Sequence, residues 1–422
     1  MKIQNQQHWI ERARKVLPAG GFGNFDPSIV ISHGEGAHVW DEDGNEYIDY
    51  LIGSGPMLLG HGHPEVLEAV SDQIGRGMTF FANNASGIEL AEVICEAVPC
   101  AEQLRYVSTG GEADMYAMRV ARAFTGRDKI MKFEGGYHGM SAEAQMSLAP
   151  TVLIDFPRAV PDSAGIPKAV RDEMLIAPFN DAAYTQDLIA QHGDEIAAII
   201  VEPLQRIIPP VPGFLEMLRE QCDKRGIVLI FDEIVTGFRF SYGGAQEYFG
   251  VTPDICTLGK VIGGGFPLAA LAGRTDMMAH FDKDQVGAEG FLMQLGTLSG
   301  NPIASVAGLK TLEILRRPGT YEKLLATGTR LMETFSDHLS RNGHAHDIVG
   351  HPTLFEAVFI DKTVRNYRDV ISADASKMAS FNKALRKQGV FKSPGKVYPS
   401  LALTEEDLQR TSEAIAKAAA QI

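Results

Sequence analysis

Leu229-Ile230-Phe231-Asp232-Glu233, followed after an irregular segment by Thr257-Leu258-Gly259-Lys260-Val261-Ile262-Gly263-Gly264-Gly265, is the stretch on which the reading turns. The run Gly226 to Phe231 is short, apolar and rich in β-branched residues, the pattern of a buried parallel strand. Asp232 then stands at the strand's carboxyl end, the edge where open α/β sheets take their ligands. A second short run, Ile255 to Leu258, stops just before Lys260 and three glycines. The pattern therefore delivers one acid and one lysine to the same sheet edge.

A lysine there can do carbonyl chemistry if burial and neighbours lower its pKa, because only the neutral amine attacks a carbonyl to form a Schiff base. Pyridoxal phosphate needs such a lysine, together with a carboxylate that keeps its ring nitrogen protonated. Lys260 and Asp232 would fill the two roles. By themselves they read more readily as a solvated cation and a strand-end turn, and their surroundings reverse that.

Those surroundings carry a resemblance. The runs FDEIVTGFR, PDICTLGKVIGGGFPLAA and GTLSGNP resemble the class III aminotransferases of the fold-type I pyridoxal-phosphate superfamily, and most of all the glutamate-1-semialdehyde aminomutases and their aminotransferase relatives. The likeness runs from about Val30 to the carboxyl terminus. It implies an α/β fold: a large domain with a mainly parallel sheet, 56–303, and a small α/β domain built from both chain ends, 1–55 and 304–422. It also implies pyridoxal 5′-phosphate as cofactor, small amine and carbonyl substrates, and a homodimer with shared active sites.

Length and composition agree with an enzyme of this kind. A chain of 422 residues exceeds what one core usually serves. With 45% hydrophobic and 22% charged residues it is ordinary for a globular protein and unlike a disordered one. The formal charge of −14 disfavours nucleic acid or an anionic membrane as partner, since both demand a basic surface. No apolar run is long enough for a membrane span, and the opening residues do not read as a signal peptide. Four cysteines without a CxxC pair argue against a disulfide or metal framework and point to the cytoplasm.

Taken in order, Met1 to about Ala19 reads as a helix with Trp9, Ile10, Ala13 and Val16 on one face. A glycine-rich segment, Ala19 to Gly23, follows and suits a loop over a ligand. Ala37 to Trp40 and Glu46 to Asp49 flank an Asp43-Gly44 turn as a hairpin. His61-Gly62-His63-Pro64 could suggest zinc, but no acid or cysteine follows at ligand spacing, and Pro64 reads as the first residue of a helix.

Arg105 to Ser108 reads as a strand and Glu112 to Phe124 as an amphipathic helix, with Thr109-Gly110-Gly111 between them. Free backbone N–H groups at such a helix start, and glycines that permit close approach, make a phosphate cradle. In the family the matching turn holds the cofactor phosphate, though relatives often carry Thr where this chain has Gly111. Lys129 to Phe133 reads as a strand that ends in Glu134-Gly135-Gly136-Tyr137-His138. Tyr137 matches the family's stacking residue, whose face lies on the cofactor ring, with His138 beside it.

Met140 to Pro178 reads as irregular, a lid or gate. Ile196 to Val201 reads as a buried strand ending in Glu202. By resemblance Glu202, Ile234 and Val235 belong to the cofactor site, and Thr297 is the threonine that reaches the phosphate of the partner subunit. Ser299 and Asn301 are candidate caps for a helix from Pro302.

From Ala304 to Arg341 the pattern predicts two amphipathic helices. Strand signals at Thr353 to Ile360 and Gly389 to Phe391 follow, then a last helix, Glu405 to Ala420, capped at Thr404.

The substrate side departs from the family. Ile207 stands where ornithine and γ-aminobutyrate aminotransferases usually have a glutamate. Ser54 stands near the aminomutases' tryptophan, and Ser393 to Pro399 replaces their glutamine-phenylalanine-glutamate run. The expectation is a transaminase working in two half-reactions, with glutamate-1-semialdehyde 2,1-aminomutase as the alternative. Arg206 and Lys396 are candidate carboxylate partners without a family motif.

Overall fold

The computed structural model describes residues 5–422. A seven-stranded sheet is formed by β1 (Gln103–Val107), β2 (Lys129–Phe133), β3 (Met174–Ala177), β4 (Ile196–Val201), β5 (Val228–Glu233), β6 (Ile255–Leu258) and β7 (Ala269–Gly273). Their spatial order is β1-β7-β6-β5-β4-β2-β3. Only β7 runs against its neighbours, so the carboxyl ends of the other six share one edge. Strands β4 and β5 are buried along their whole length, IAAIIV and VLIFDE, as strands covered by helices on both faces must be. Asp232 and Glu233 lie within β5 rather than after it, because β5 still pairs there with Thr257 and Leu258 of β6.

Between β1 and β2 runs α1 (Gly110–Thr125). It begins two residues before the position expected from sequence, because Thr109 caps it. The Thr109 hydroxyl accepts from the Glu112 N–H, and the Glu112 carboxylate accepts from the N–H groups of Ser108 and Thr109, each at 2.9 Å. A cap of this kind stabilises a helix by about 1 kcal/mol. Ala113, Ala117, Val120 and Ala121 lay its inner face on the sheet, which suits a close helix-to-sheet approach.

A second core joins both chain ends. Leu331, Phe335, Phe355, Phe381 and Ile415 pack with Ala37, Ile48 and Tyr50, and the Tyr50 hydroxyl meets Thr411 Oγ1 at 2.8 Å. The expected hairpin is present as His38–Asp41 and Glu46–Asp49. It extends into a four-stranded sheet with Ile31–Glu35 on one side and Val390–Phe391 paired in parallel on the other. Pro64 is the first residue of the helix Pro64–Ile74, and His61 is held by the Asp49 carboxylate at 2.7 Å. The last helix, Glu405–Ala419, is capped by Thr404 with Asp407.

Two expectations need correction. Met140 to Pro178 is not irregular throughout: it contains β3 and a short helix, Lys168–Asp172. Met174-Leu175-Ile176-Ala177 is too short a run for periodicity to separate from loop. The helix Pro302–Leu315 is buried on nearly every side rather than amphipathic, wedged between the main sheet's helices and the turn after Lys260. The first helix is present as Gln6–Val16; it buries no residue fully, with Trp9, Ile10 and Ala13 half-buried and Val16 exposed, and the earlier part of that predicted helix, Met1 to Gln4, lies outside the described residues.

Candidate active site

A cavity of about 610 Å³ opens at the carboxyl edge of the sheet. That size suits a cofactor-sized ligand. Five of the six strands that end there supply part of it: Thr109, Gly110 and Gly111 after β1, Tyr137 after β2, Glu202 after β4, Asp232, Ile234 and Val235 at the end of β5, and Lys260 after β6. A wider groove of about 680 Å³ near Tyr106 and Ser299 lacks any comparable convergence of acids and lysine.

Lys260 starts a one-turn helix, Lys260–Gly263, and its own φ of +47° is left-handed. It opens only into the cavity, and its burial lowers the amine's pKa. The charges of Lys396 and Arg239 act in the same direction, while Tyr398 and Asp232 oppose them. Ile234 packs between the two glycine turns of the site. A Cβ on Gly110 or on Gly259 would approach its side chain to 3.0 or 3.1 Å, so glycine is what lets the phosphate-type turn and the lysine turn close on one isoleucine.

Asp232 is fixed by two donors. Its Oδ2 accepts from His138 Nδ1 at 2.8 Å and its Oδ1 from the Ile234 N–H at 3.1 Å, while Thr257 Oγ1 stands 3.5 Å away with its hydrogen turned to Asp114. Glu202 holds the stacking candidate rather than pointing freely at a ligand, since its Oε2 accepts from the Tyr137 N–H at 2.8 Å. Glu233, adjacent in sequence, faces the other way and takes the Thr236 hydroxyl and the Gln246 side chain.

The turn at Thr109 divides its labour. The Thr109 hydroxyl and N–H are committed to Glu112, leaving the N–H groups of Gly110 and Gly111 at the start of α1 for an anion. Gly139 explains the missing side chain at Gly111: a Cβ on Gly139 would come within 2.3 Å of Gly111 Cα, and one on Gly111 within 3.2 Å of Gly139 Cα. Thr297, by contrast, is exposed on a surface turn and does not line this cavity; its carbonyl accepts from Thr79 Oγ1 at 3.4 Å. The Ala19 to Gly23 segment does not line it either.

Sequence reasoning missed several residues. Asp114, one turn into α1, is 1% exposed and accepts from Thr257 Oγ1 at 2.7 Å. Burial and the nearby Asp232 charge push its pKa well up, which favours its protonated form. A buried acid at the fifth residue of a helix that starts on Gly110 was the available signal. Ligand atoms of Asp114, His138 and Asp232 lie within 4.8 Å of one another, close enough to surround a cation. Their hydrogen bonds account for that proximity without one.

Lys132, fully buried in β2, donates to the carbonyls of Gly136 at 3.0 Å and Ala144 at 2.8 Å, which pins the turn carrying Tyr137. Burial lowers it to about 7. Tyr398 is 1% exposed, with Arg239 and Lys396 over its ring. Burial raises its pKa, but the charges of Lys396, Lys260 and Arg239 outweigh that and lower it.

The residues present fit pyridoxal 5′-phosphate. They offer a buried amine of lowered pKa, a carboxylate held by two donors, two unclaimed N–H groups at a helix start, and an aromatic ring lining the same cavity. Residues 23–419 match the family model for class III aminotransferases. The chain belongs to that family. Class III aminotransferases are pyridoxal-phosphate enzymes.

Among relatives, the chain is 41% identical to glutamate-1-semialdehyde 2,1-aminomutase 2 of Brevibacillus brevis, over 92% of this chain and 90% of that one. Its fold is similar to an omega-transaminase from Sphaerobacter thermophilus, with a TM-score of 0.92, 34% identity and coverage of 99% and 97% of the two chains. It is also similar to a β-phenylalanine aminotransferase from Variovorax paradoxus, with a TM-score of 0.86, 33% identity and coverage of 97% and 92%.

Proposed function

We propose that this class III enzyme is an aminotransferase that moves an amino group from an amine or amino acid to a keto acid or aldehyde in two half-reactions. The observation that carries the reading is the contrast within the cavity: the residues toward the cofactor follow the family pattern, whereas Ser54, Arg206 and Lys396, which line the same cavity, do not follow the aminomutases. The similarity to the omega-transaminase and to the β-phenylalanine aminotransferase supports it. The 41% identity to an aminomutase favours the second reading, glutamate-1-semialdehyde 2,1-aminomutase.

In this reading Gly110 and Gly111 would hold the cofactor phosphate, Tyr137 would take its ring, and Asp232 would serve its ring nitrogen. When bound, pyridoxal 5′-phosphate supplies a carbonyl and a ring that withdraws electrons from a substrate carbon. Lys260 Nζ would be the amine that holds the cofactor's carbonyl group and the base that takes the proton from the substrate's amine-bearing carbon; its lowered pKa favours the neutral amine that both tasks need. Asp232 would favour a protonated ring nitrogen, and His138 and the Ile234 N–H keep that carboxylate aimed. Val235 and Ile234 exclude water beside Lys260.

We infer a homodimer in which Thr297 reaches the partner's phosphate site. Leu295 and Leu298 beside Thr297, and Phe81 in the loop whose Thr79 donates to the Thr297 carbonyl, are 71%, 47% and 69% exposed, apolar side chains that a partner subunit would cover. The division into large domain and two-part small domain belongs to the same proposal, as does a cytoplasmic setting; no helix among the described residues is long and apolar enough to cross a membrane.

One amine substrate alone should turn the yellow enzyme into its amine-loaded form and stop after a single turnover, and a keto acid or aldehyde should restore the colour. Rapid isomerisation of glutamate-1-semialdehyde, with no amine completing that cycle, would establish the second reading instead.

A further inference from the structure

We propose that Arg206 and Lys396 form a two-sided clamp for a substrate carboxylate, so that the enzyme prefers amino acids to the corresponding simple amines. The inference rests on the aminotransferase reading above and names the substrate class for that site.

Both cations line the cavity that contains Lys260, and they reach it from different parts of the chain. Arg206 follows β4 and lies with its guanidinium 5.0 Å from the Tyr137 ring centre. Lys396 follows the strand Val390–Phe391 and stands 5.9 Å from the Tyr398 ring centre. Among the described residues neither makes an ion pair, in a chain with 53 acids and only 39 lysines and arginines. Cations left unpaired on so acidic a protein, and converging on one cavity, point to an anion that arrives with the ligand.

The acids of the cavity do not answer for them. Glu202 commits Oε2 to the Tyr137 N–H at 2.8 Å, and its Oε1 faces the Arg206 backbone N–H at 3.4 Å rather than the guanidinium. Asp232 is held by His138, and Asp114 by Thr257. Ile207, next to Arg206, is buried and apolar, so the turn brings no carboxylate of its own.

The backbone gives an independent sign. Gln205 and Ile208 exchange both hydrogen bonds, 2.9 and 2.8 Å, around a two-residue turn whose first member is Arg206 at φ +61°. Glycine is the natural residue there, and a bulky side chain in the left-handed region costs about 1–3 kcal/mol. The turn is nonetheless pinned, since the buried Gln205 side chain donates to the Glu134 carbonyl at 2.9 Å. A long cation kept where glycine would relieve strain is being aimed into the cavity. Lys396 carries no such strain but is held beside a turn: Ser393 and Lys396 bridge around Pro394-Gly395, and Val397 is tied to Phe355.

The test uses holoenzyme of the wild type, Arg206→Met, Lys396→Met and the conservative Arg206→Lys. Two donor pairs differ only by a carboxylate: 3-aminobutanoate against 2-aminopropane, and alanine against ethylamine. For whichever pair reacts, each Met variant should lose about 10- to 100-fold in kcat/KM on the amino acid and less than about threefold on the amine, with Arg206→Lys between wild type and Arg206→Met. Calorimetric titration with butanoate, which has no amine to react, should show binding at least about tenfold weaker in either Met variant. Affinity for pyridoxal 5′-phosphate should be unchanged.

Equal losses on acid and amine, or a wild type that binds no butanoate and prefers the amine, would overturn the clamp. Weakened cofactor binding in Arg206→Met would make that arginine a phosphate contact and overturn it too. If no donor pair reacts, the aminotransferase reading falls, while the butanoate titration still decides whether the clamp exists. Should Arg206→Met fail to fold, Arg206→Lys and Lys396→Met carry the same comparison.

Discussion

Along the sheet-edge side of the cavity, Asp232, His138, Thr257, Asp114 and Glu202 commit their polar atoms to one another or to backbone N–H groups, whereas on the turn side Arg206 and Lys396 face no carboxylate. The first side sits on strand ends held by the core. The second sits on two-residue turns, one of them at a strained φ. Buried polar groups must be satisfied within the protein when their task is to hold a fixed geometry, and can be left open only where a ligand completes them. The difference therefore separates what every half-reaction requires from what selects the substrate.

The comparison breaks most severely at Lys260. Lys260→Ala should lower the proton-transfer step by at least about 10³-fold, the upper part of the range for a general acid–base group. Borohydride treatment of the wild type should fix the cofactor to the peptide containing Lys260, and of the variant to none. A labelled peptide from another lysine would move the whole site.

Next in size is Asp232→Asn. The variant keeps the shape and can still meet Thr257 and the Ile234 N–H, but it offers no charge to a protonated ring nitrogen. Loss of a preorganised charge of this kind is worth about 3–4 kcal/mol, or roughly 10²- to 10³-fold in kcat, with most of the cofactor retained. Steady-state kinetics together with the visible absorbance of the purified protein measure both. Near-normal turnover would mean that the acid is only structural.

Gly139→Ala sharpens the boundary of the phosphate cradle. Gly139 has φ +83°, and the added Cβ would meet Gly111 Cα at 2.3 Å, so the turn after Tyr137 must move away from the start of α1. With a left-handed cost of about 1–3 kcal/mol, cofactor affinity should fall by about tenfold or more while the fold persists. Equilibrium dialysis with pyridoxal 5′-phosphate measures it.

How far the sequence was readable follows the same division. Asp232, Lys260 and Gly110 announce themselves because strand, acid, lysine and glycine occur in a fixed local order, and strand ends deliver such residues to one edge. Asp114 and Tyr398 gave no such sign: each looks like an ordinary member of its own element, and only the tertiary approach of α1 to β6, or of the last loop to Lys260, makes it part of the site. β3 was lost because four apolar residues carry too little periodicity, and the burial of Pro302–Leu315 because its small residues, Ala304, Ala307 and Gly308, read as neutral. The first helix was read correctly as amphipathic, and its apolar stripe is half-covered, with Trp9, Ile10 and Ala13 half-buried and Val16 exposed. Arg206 was visible as a residue, but the strain in its turn was not, since a two-residue turn normally declares itself by glycine.

The smallest expected effect tests whether the satisfied side of the cavity includes a neutral acid. In the folded apoenzyme Asp114 is buried beside Asp232, and both influences favour its protonated form; in the unfolded chain it ionises near its ordinary value, about 3.9. Between that value and the raised folded one, the unfolded chain has released a proton that the folded chain retains. Stability must therefore fall as pH rises through this window, by about 1.4 kcal/mol for each unit of displacement, and level off above the folded pKa. Below about pH 4 both states are protonated and the penalty vanishes. Asparagine at this position keeps an oxygen for Thr257 Oγ1 and has nothing to ionise. Apo Asp114→Asn should thus match the wild type near pH 4 and become the more stable of the two as pH rises toward 7, a difference that urea unfolding across that range resolves. If the two curves stay parallel, Asp114 carries its charge in the folded protein, and the hydrogen bond from Thr257 then joins two carboxylates rather than a carboxylate and an acid.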